Sequence, residues 1–214
     1  MRQSSMIIIE QLFTAYPLIE LLRMETTAAA EAIIACYKQS GKLLICGNGG
    51  SAADAGHIVG ELMKGFLLRR PVPQPIRTAL RDNDRQYADY LADNLQGALP
   101  AISLVEHSAL ISAFSNDVTA DMAFAQQVYG YGKVGDVLIG ISTSGNAANI
   151  VNAIRVANAL KLVTIGLTGE SGGVMRDICD IAICAPSSET YVVQELHLPI
   201  YHALCAAVEH EFFG

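Results

Sequence analysis

The sequence is short of charge: Lys, Arg, Asp and Glu make up 16% of 214 residues, against 51% apolar residues. That balance leaves room for one sizeable globular domain with a large core. Positive charge is scarcer still. The net charge of −7 argues against direct binding to nucleic acid. No uninterrupted apolar run approaches the ~20 residues that a membrane span needs, so no membrane partner is expected. The amino-terminal stretch "MRQSSMIIIEQLFTAYPLIELL" is interrupted by Glu10 and Glu20 and bent by Pro17. Over Met6–Leu22 it reads as an amphipathic helix that packs on something, and not as a signal peptide. The five cysteines (36, 46, 179, 184 and 205) are odd in number and show no finger-like clustering. Cys36, Cys46, Cys184 and Cys205 sit in apolar runs and read as small core residues, which fits a reducing cytoplasm. There is no internal repeat.

The patterning that is present alternates strands with helices. Apolar runs predict strands at Lys42–Cys46, Ala101–Val105, Gly135–Ser142, Leu162–Leu167 and Asp180–Ala185. Helical spacing predicts helices at Thr26–Lys42, Ser51–Gly65, Asn146–Leu160 and Ser188–Phe213, the first ending at Gly41 and the last carrying Pro199. This order implies a doubly wound α/β fold, a parallel sheet flanked by helices with an N-terminal helical segment. Residues 74–99 break the rhythm and predict a helical insertion. Asp82 or Asn83 is its expected cap, and Tyr87, Tyr90, Leu91 and Leu95 fall near one face.

Two loops have phosphate-binding character. "CGNGGS" (46–51) and "STSGN" (142–146) each join a strand to a helix. Such a junction presents free backbone N–H groups and the positive end of the helix dipole. Ser142, Thr143 and Ser144 add three hydroxyl donors. The first loop lacks the Gly-Lys-Ser/Thr of a Walker loop, and Ala52 and Ala53 stand where a dinucleotide fingerprint has its third glycine. The pair therefore suggests a small phosphorylated ligand.

His57 and Glu61 lie one turn apart on one helix face, where they form either half of a metal site or a surface ion pair. The last predicted helix adds "VQELHLPIYH", with Gln194 and His202 eight residues apart on one broad face and His197 pointing elsewhere. Pro199 removes one helical hydrogen bond and is expected to kink that helix.

"GNGGS", "GDVLIGISTSGN", "TGESGG" and "QELHLPIYH", in that order, resemble the sugar isomerase (SIS) domain family, with flavodoxin-like layering. Within it the chain is most similar to the phosphoheptose isomerases, which act on sedoheptulose 7-phosphate. The resemblance covers nearly all of residues 1–214 as a single SIS domain, apart from the insertion near 74–99. It implies a zinc ion held by His57, Glu61, Gln194 and His202. It also implies that Glu61 and His202 move protons between C1 and C2 of a phosphorylated sugar through an enediol, which is sensible chemistry for a carbon acid. Gln is an unusual zinc ligand. Asn48, Gly49, Ser51 and Asp117 match substrate-contacting positions, and Gln194 is expected to reach the substrate too. The resemblance also implies a homotetramer with N-terminal helices packed together. Three positions depart from its pattern. Gly65, with Lys64 beside it, stands for an Arg, Ala147 for a Ser and Tyr191 for an Asp. Each removes a polar contact to the sugar or phosphate. Two alternatives stay open: a non-catalytic SIS module that assembles partners, and an SIS enzyme acting on another sugar phosphate.

Overall fold

Five aliphatic runs form one parallel sheet in the computed structural model, which describes residues 1–214. They are β1 (Leu43–Gly47), β2 (Ala101–Ser103), β3 (Val137–Ile141), β4 (Val163–Thr168) and β5 (Ile181–Cys184). Their spatial order is β2-β1-β3-β4-β5. Leu43, Ile45 and Gly47 lie opposite Val137, Ile139 and Ile141. Every residue of β1 and β3 is buried, as a sheet covered on both faces requires. Alternation then divides the side chains. Leu43, Ile45, Val137 and Ile139 enter the larger apolar core, whereas Leu44, Cys46 and Leu138 enter the smaller one.

The larger core is closed by α1 (Gln3–Ala15), a 3-10 turn (Pro17–Leu22), α2 (Arg23–Lys38) and α3 (Gly50–Met63), together with the C-terminal helix α10 (Thr190–Phe213). The smaller is closed by α6 (Ser108–Asp117), α7 (Ala123–Tyr131), α8 (Ala148–Ala159) and α9 (Gly173–Ile178). Two further helices, α4 (Gln74–Asn83) and α5 (Ala88–Asn94), make up the insertion. The chain leaves β1 toward one face through α3 and leaves β3 toward the other through α8. Between those strands the order reverses, and a crevice opens beyond their carboxyl ends.

Several expectations need correction. The amino-terminal segment is not one helix: Pro17 ends α1, and the chain continues as the 3-10 turn. What it packs on lies within the chain. Ser5, Ile9, Leu12 and Phe13 are buried, and α1 lies along α10. The opposite face, with Met6, Ile7, Leu18, Leu21 and Met24, stays exposed. The strand expected over Ala101–Val105 stops at Ser103, since only β1 pairs with it. Cys184 is half-buried on an edge strand. The sequence reading left α6 and α7 unassigned. Pro199 lies inside α10, as the sequence places it.

The insertion is two helices and not one. The expected cap at Asp82 or Asn83 does not form: Tyr87 precedes α5 without a side-chain cap, and Asp84 Oδ1 accepts the Gln86 N–H at 3.0 Å in the turn between the two helices. No residue of α4 is buried, and α5 buries only Ala88 and Ala92. Arg77–Asp93 and Arg81–Asp89, at 2.9 and 2.8 Å, tie the hairpin together from the outside. Tyr87, Tyr90, Leu91 and Leu95 remain exposed. The root is firmer: Pro71 bridges Gln96, and the Gly97 N–H donates to the Arg70 carbonyl at 2.7 Å. Exposed ion pairs contribute little, about 0–1 kcal/mol each. Replacing residues 74–94 with a short Gly/Ser linker should therefore lower the thermal midpoint by only about 2–4 °C, a loss of roughly 1 kcal/mol. A fall beyond about 10 °C in a circular-dichroism melt would make the hairpin part of the core.

Candidate active site

Two glycine-bearing loops meet at the crevice. Gly49 has φ 56°, in the region that glycine adopts freely. A Cβ on Gly50 would lie 2.5 Å from the Gln194 amide nitrogen, so this glycine lets α10 approach the loop. The Asn48 and Asn149 amides exchange two hydrogen bonds of 2.9 Å and lock the first loop to the start of α8. In the second loop the Ser142 and Ser144 hydroxyls are 3.5 Å apart. The "TGESGG" turn props this loop from behind. The Gly169 N–H donates to the Thr143 carbonyl at 2.9 Å, and the Val174 N–H to Asn146 Oδ1 at 2.9 Å. The backbone N–H groups of Gly49, Gly50, Thr143 and Ser144 have no intramolecular acceptor. Together with Ser51, Thr190 and Gln194 these loops line a cleft of about 370 Å³. Free N–H donors at two helix starts suit an anion.

The second half of the site forms where α3 meets α10. His57 Nε2 lies 3.2 Å from Glu61 Oε1, and Lys64 Nζ lies 2.9 Å from Glu61 Oε2. The His202 ring stands edge-on to His57, with centroids 4.9 Å apart. Its Nε2 is buried without a partner. Burial lowers the His202 pKa, nearby His57 lowers it further, and Glu61 opposes both. Behind His57, the Tyr201 hydroxyl lies 3.1 Å from Nδ1 and donates to Asp54 Oδ1 at 3.2 Å. Burial raises both the Tyr201 phenol and the Asp54 carboxyl. His197 is a core residue: fully buried, held to the Thr168 carbonyl at 3.1 Å, and pushed down to about 4 by burial.

The SIS domain family matches residues 16–98 and 91–169. The chain belongs to the SIS domain family. A phosphoheptose isomerase of Burkholderia pseudomallei is 39% identical over 195 residues, which are 91% of this chain and 86% of that protein. The solved phosphoheptose isomerase of Neisseria gonorrhoeae superimposes with a TM-score of 0.72 at 32% identity, covering 93% of this chain and 94% of that one. That of Francisella tularensis gives 0.71 at 30%, covering 97% and 94%.

Within this SIS chain, His57, Glu61 and His202 come together, and so do Asn48, Gly49, Ser51, Ser142, Thr143, Ser144 and Gln194. The two groups are joined by α10. Gln194 lies against Gly50, and His202, about 12 Å further along the helix, lies against His57. No three His, Cys, Asp or Glu side chains converge into a ready-made metal cage. Asp117 is not brought to the cleft: it is exposed at the end of α6, where it accepts from the Asn116 amide at 3.0 Å. Of the three departures, Ala147 lines the cleft and Tyr191 is exposed at the start of α10. Gly65 has no room for any side chain, because a Cβ there would meet the Leu68 carbonyl at 2.6 Å.

Sequence reasoning missed Asn149, Asp54, Tyr201 and a buried pair, Arg70 and Glu209, that holds the base of α3 to α10 at 2.7 Å. Burial alone would raise the Glu209 carboxyl, but hydrogen bonds from the Phe66 and Leu67 N–H groups and from Arg70 outweigh it and hold the pKa below the usual value. The native state thus binds a proton here less readily than the unfolded chain. This stabilisation is fully present above the ordinary Glu pKa of about 4.3 and is lost as pH falls through the lower folded value. Glu209→Gln leaves Arg70 buried without its counter-charge and should cost about 3–5 kcal/mol. Urea titration at pH 7 checks this. A loss under about 1 kcal/mol would show that the pair is dispensable.

Proposed function

We propose that this SIS chain is a phosphoheptose isomerase that interconverts sedoheptulose 7-phosphate and a heptose 7-phosphate. The observation that carries the proposal is the convergence of α3 and α10. It sets a carboxylate and a buried imidazole beside a cleft lined with free N–H donors. The named relatives span nearly the same length of chain and point the same way. The phosphate would take the N–H groups of Thr143 and Ser144 and the hydroxyls of Ser142, Thr143 and Ser144. Asn48, Gly49, Ser51 and Gln194 would hold the sugar. Asp117 would have to act from outside this cleft, at a neighbouring subunit's site.

Glu61 is the base that withdraws the C1 proton of the ketose; the C–H electron pair becomes the C1=C2 bond while the C2=O electrons move to O2, which takes that proton from Glu61 to give the enediol. His202, kept neutral by burial, then takes the O1 proton as C1=O forms and delivers it to C2, where the C1=C2 electrons receive it. Lys64 Nζ lies 2.9 Å from Glu61 Oε2, on the side of the carboxylate away from His57. The donors also fit zinc by type and by environment. His202 Nε2 is buried without a partner, and His57 Nε2 faces the Glu61 carboxylate. His57, Glu61, Gln194 and His202 would hold the ion. When bound, zinc supplies positive charge that stabilises the developing enediolate oxygens.

No helix of the chain is long and apolar enough to cross a membrane. Five unpaired cysteines suit a reducing cytoplasm. The exposed face of Met6, Ile7, Leu18, Leu21 and Met24 supports assembly into a homotetramer through the N-terminal helices. Light scattering at micromolar concentration should then give about four times the 22.8 kDa of one chain. A monomer would remove this part of the proposal.

Glu61→Gln keeps the shape and removes the base. It should slow exchange of solvent deuterium into C1 of sedoheptulose 7-phosphate by about 10²–10⁴-fold while leaving phosphate binding in place. Wild-type protein that exchanges no deuterium, with or without added zinc, would instead favour a non-catalytic SIS module. Undiminished exchange in the variant would displace Glu61 as the base.

A further inference from the structure

His57 is gripped from behind by two side chains that the isomerisation does not use. Asp54 sits three residues before it on α3, so both lie on one face of the helix. Tyr201 immediately precedes His202 on α10, and the two neighbouring rings bracket His57 with centroids 5.5 and 4.9 Å away, at 77° and 86°. Tyr201 is only 2% exposed. Its hydroxyl has one proton to give, and an ionised carboxylate can only accept. The 3.2 Å contact to Asp54 Oδ1 therefore uses that proton. The 3.1 Å contact to His57 Nδ1 must then run the other way, with the ring donating to the phenol oxygen.

This bookkeeping of protons fixes the imidazole. With Nδ1 protonated, a neutral His57 has its lone pair on Nε2, and that atom faces Glu61 Oε1 at 3.2 Å. Two acceptors at that distance repel unless a positive centre serves both, either a proton or a metal ion. We propose that Asp54 and Tyr201 are positioning residues that hold His57 in its Nδ1–H tautomer and so aim its Nε2 lone pair into the site as a metal ligand. The aim of the lone pair toward zinc rests on the metal reading above; the tautomer does not. Partners of this kind behind a ligating histidine typically change metal affinity by about 10–100-fold.

Long-range ¹H–¹⁵N spectra of histidine-labelled, metal-free protein read the tautomer directly. Without metal, a proton can serve Nε2 and Glu61 together, so the spectra are followed as pH is raised until the ring is neutral, where wild-type His57 should be the Nδ1–H form. Tyr201→Phe removes the acceptor, and Asp54→Ala frees the Tyr201 proton to turn toward Nδ1. Both should shift His57 toward the Nε2–H form and weaken zinc binding, measured against a competing chelator, by about 10–100-fold. The Asp54 variant covers the case in which the buried Tyr201 change impairs folding, which near-ultraviolet circular dichroism would reveal. A wild-type Nε2–H form, or an unchanged tautomer in the well-folded variants, overturns the proposal. Wild-type protein with the Nδ1–H form that shifts in both variants, yet takes up no zinc, would support the positioning role and count against the zinc reading alone.

Discussion

Arg70 and Glu209 meet at 2.7 Å with neither side chain exposed, and the placement of the site depends on them. Two charges taken out of water are costly unless every remaining donor and acceptor is satisfied. Here they are met by backbone. Glu209 accepts the N–H groups of Phe66, Leu67 and Leu68 at 2.8, 2.7 and 3.1 Å. Arg70 donates to the carbonyls of Leu62 and Glu61 at 2.7 and 3.0 Å. Those carbonyls belong to the last turn of α3, where helical partners run out. One ion pair thus caps α3, orders the irregular chain that follows, and clamps both to α10. Glu61 is held by its own carbonyl. Phe66, in the clamped segment, packs its ring 5.5 Å from that of His202.

The clamp at one end and Gln194 against Gly50 at the other make α3 and α10 run side by side in the same direction. This geometry explains how a chain with little positive charge can receive a phosphorylated sugar. Under the proposed function, the anion would meet backbone N–H groups and hydroxyls at the ends of β1 and β3, which keep their dipoles at any physiological pH. Cationic side chains are not needed there. The one lysine near the chemistry, Lys64, is engaged with Glu61. The free N–H donors and the cluster of His57, Glu61 and His202 thus occupy opposite ends of the same helix pair.

The strands and the loops were legible because each rests on local pattern. Parallel strands buried on both faces read as aliphatic runs, and "CGNGGS" and "STSGN" follow two of them. His57 and Glu61 were legible from a one-turn spacing. What escaped has no local signature. Arg70 and Glu209 are separated by 139 residues, and a buried arginine reads in sequence like any surface one. Tyr201 looked like one more apolar position on a core helix, and only the packing of α10 on α3 turns its hydroxyl toward His57. The helix α6 buries nothing fully, so it carries no strong apolar period. The first helix of the hairpin, α4, escaped because it buries no residue and so has no core-facing apolar stripe to show in the sequence.

The turn at Gly65 and the root of the α4–α5 hairpin are joined in the fold. The Gly65 N–H donates to Gln96 Oε1 at 2.6 Å, and Gln96 sits at the root of the hairpin. A side chain at 65 would strike the Leu68 carbonyl within the turn that Glu209 organises. A hairpin rooted here therefore leaves no place for an arginine at that position. The positive charge is not lost from the neighbourhood, because Lys64, one residue earlier, reaches Glu61 Oε2 from the exposed side. The contact changes in kind. An arginine fork can grip an oxygen pair in a fixed plane, whereas an ammonium acts as a point charge with freely rotating donors. Under the proposed function the change is therefore one of directional recognition more than of charge, and it would fall on how the sugar is oriented, while Glu61 and His202 keep their places.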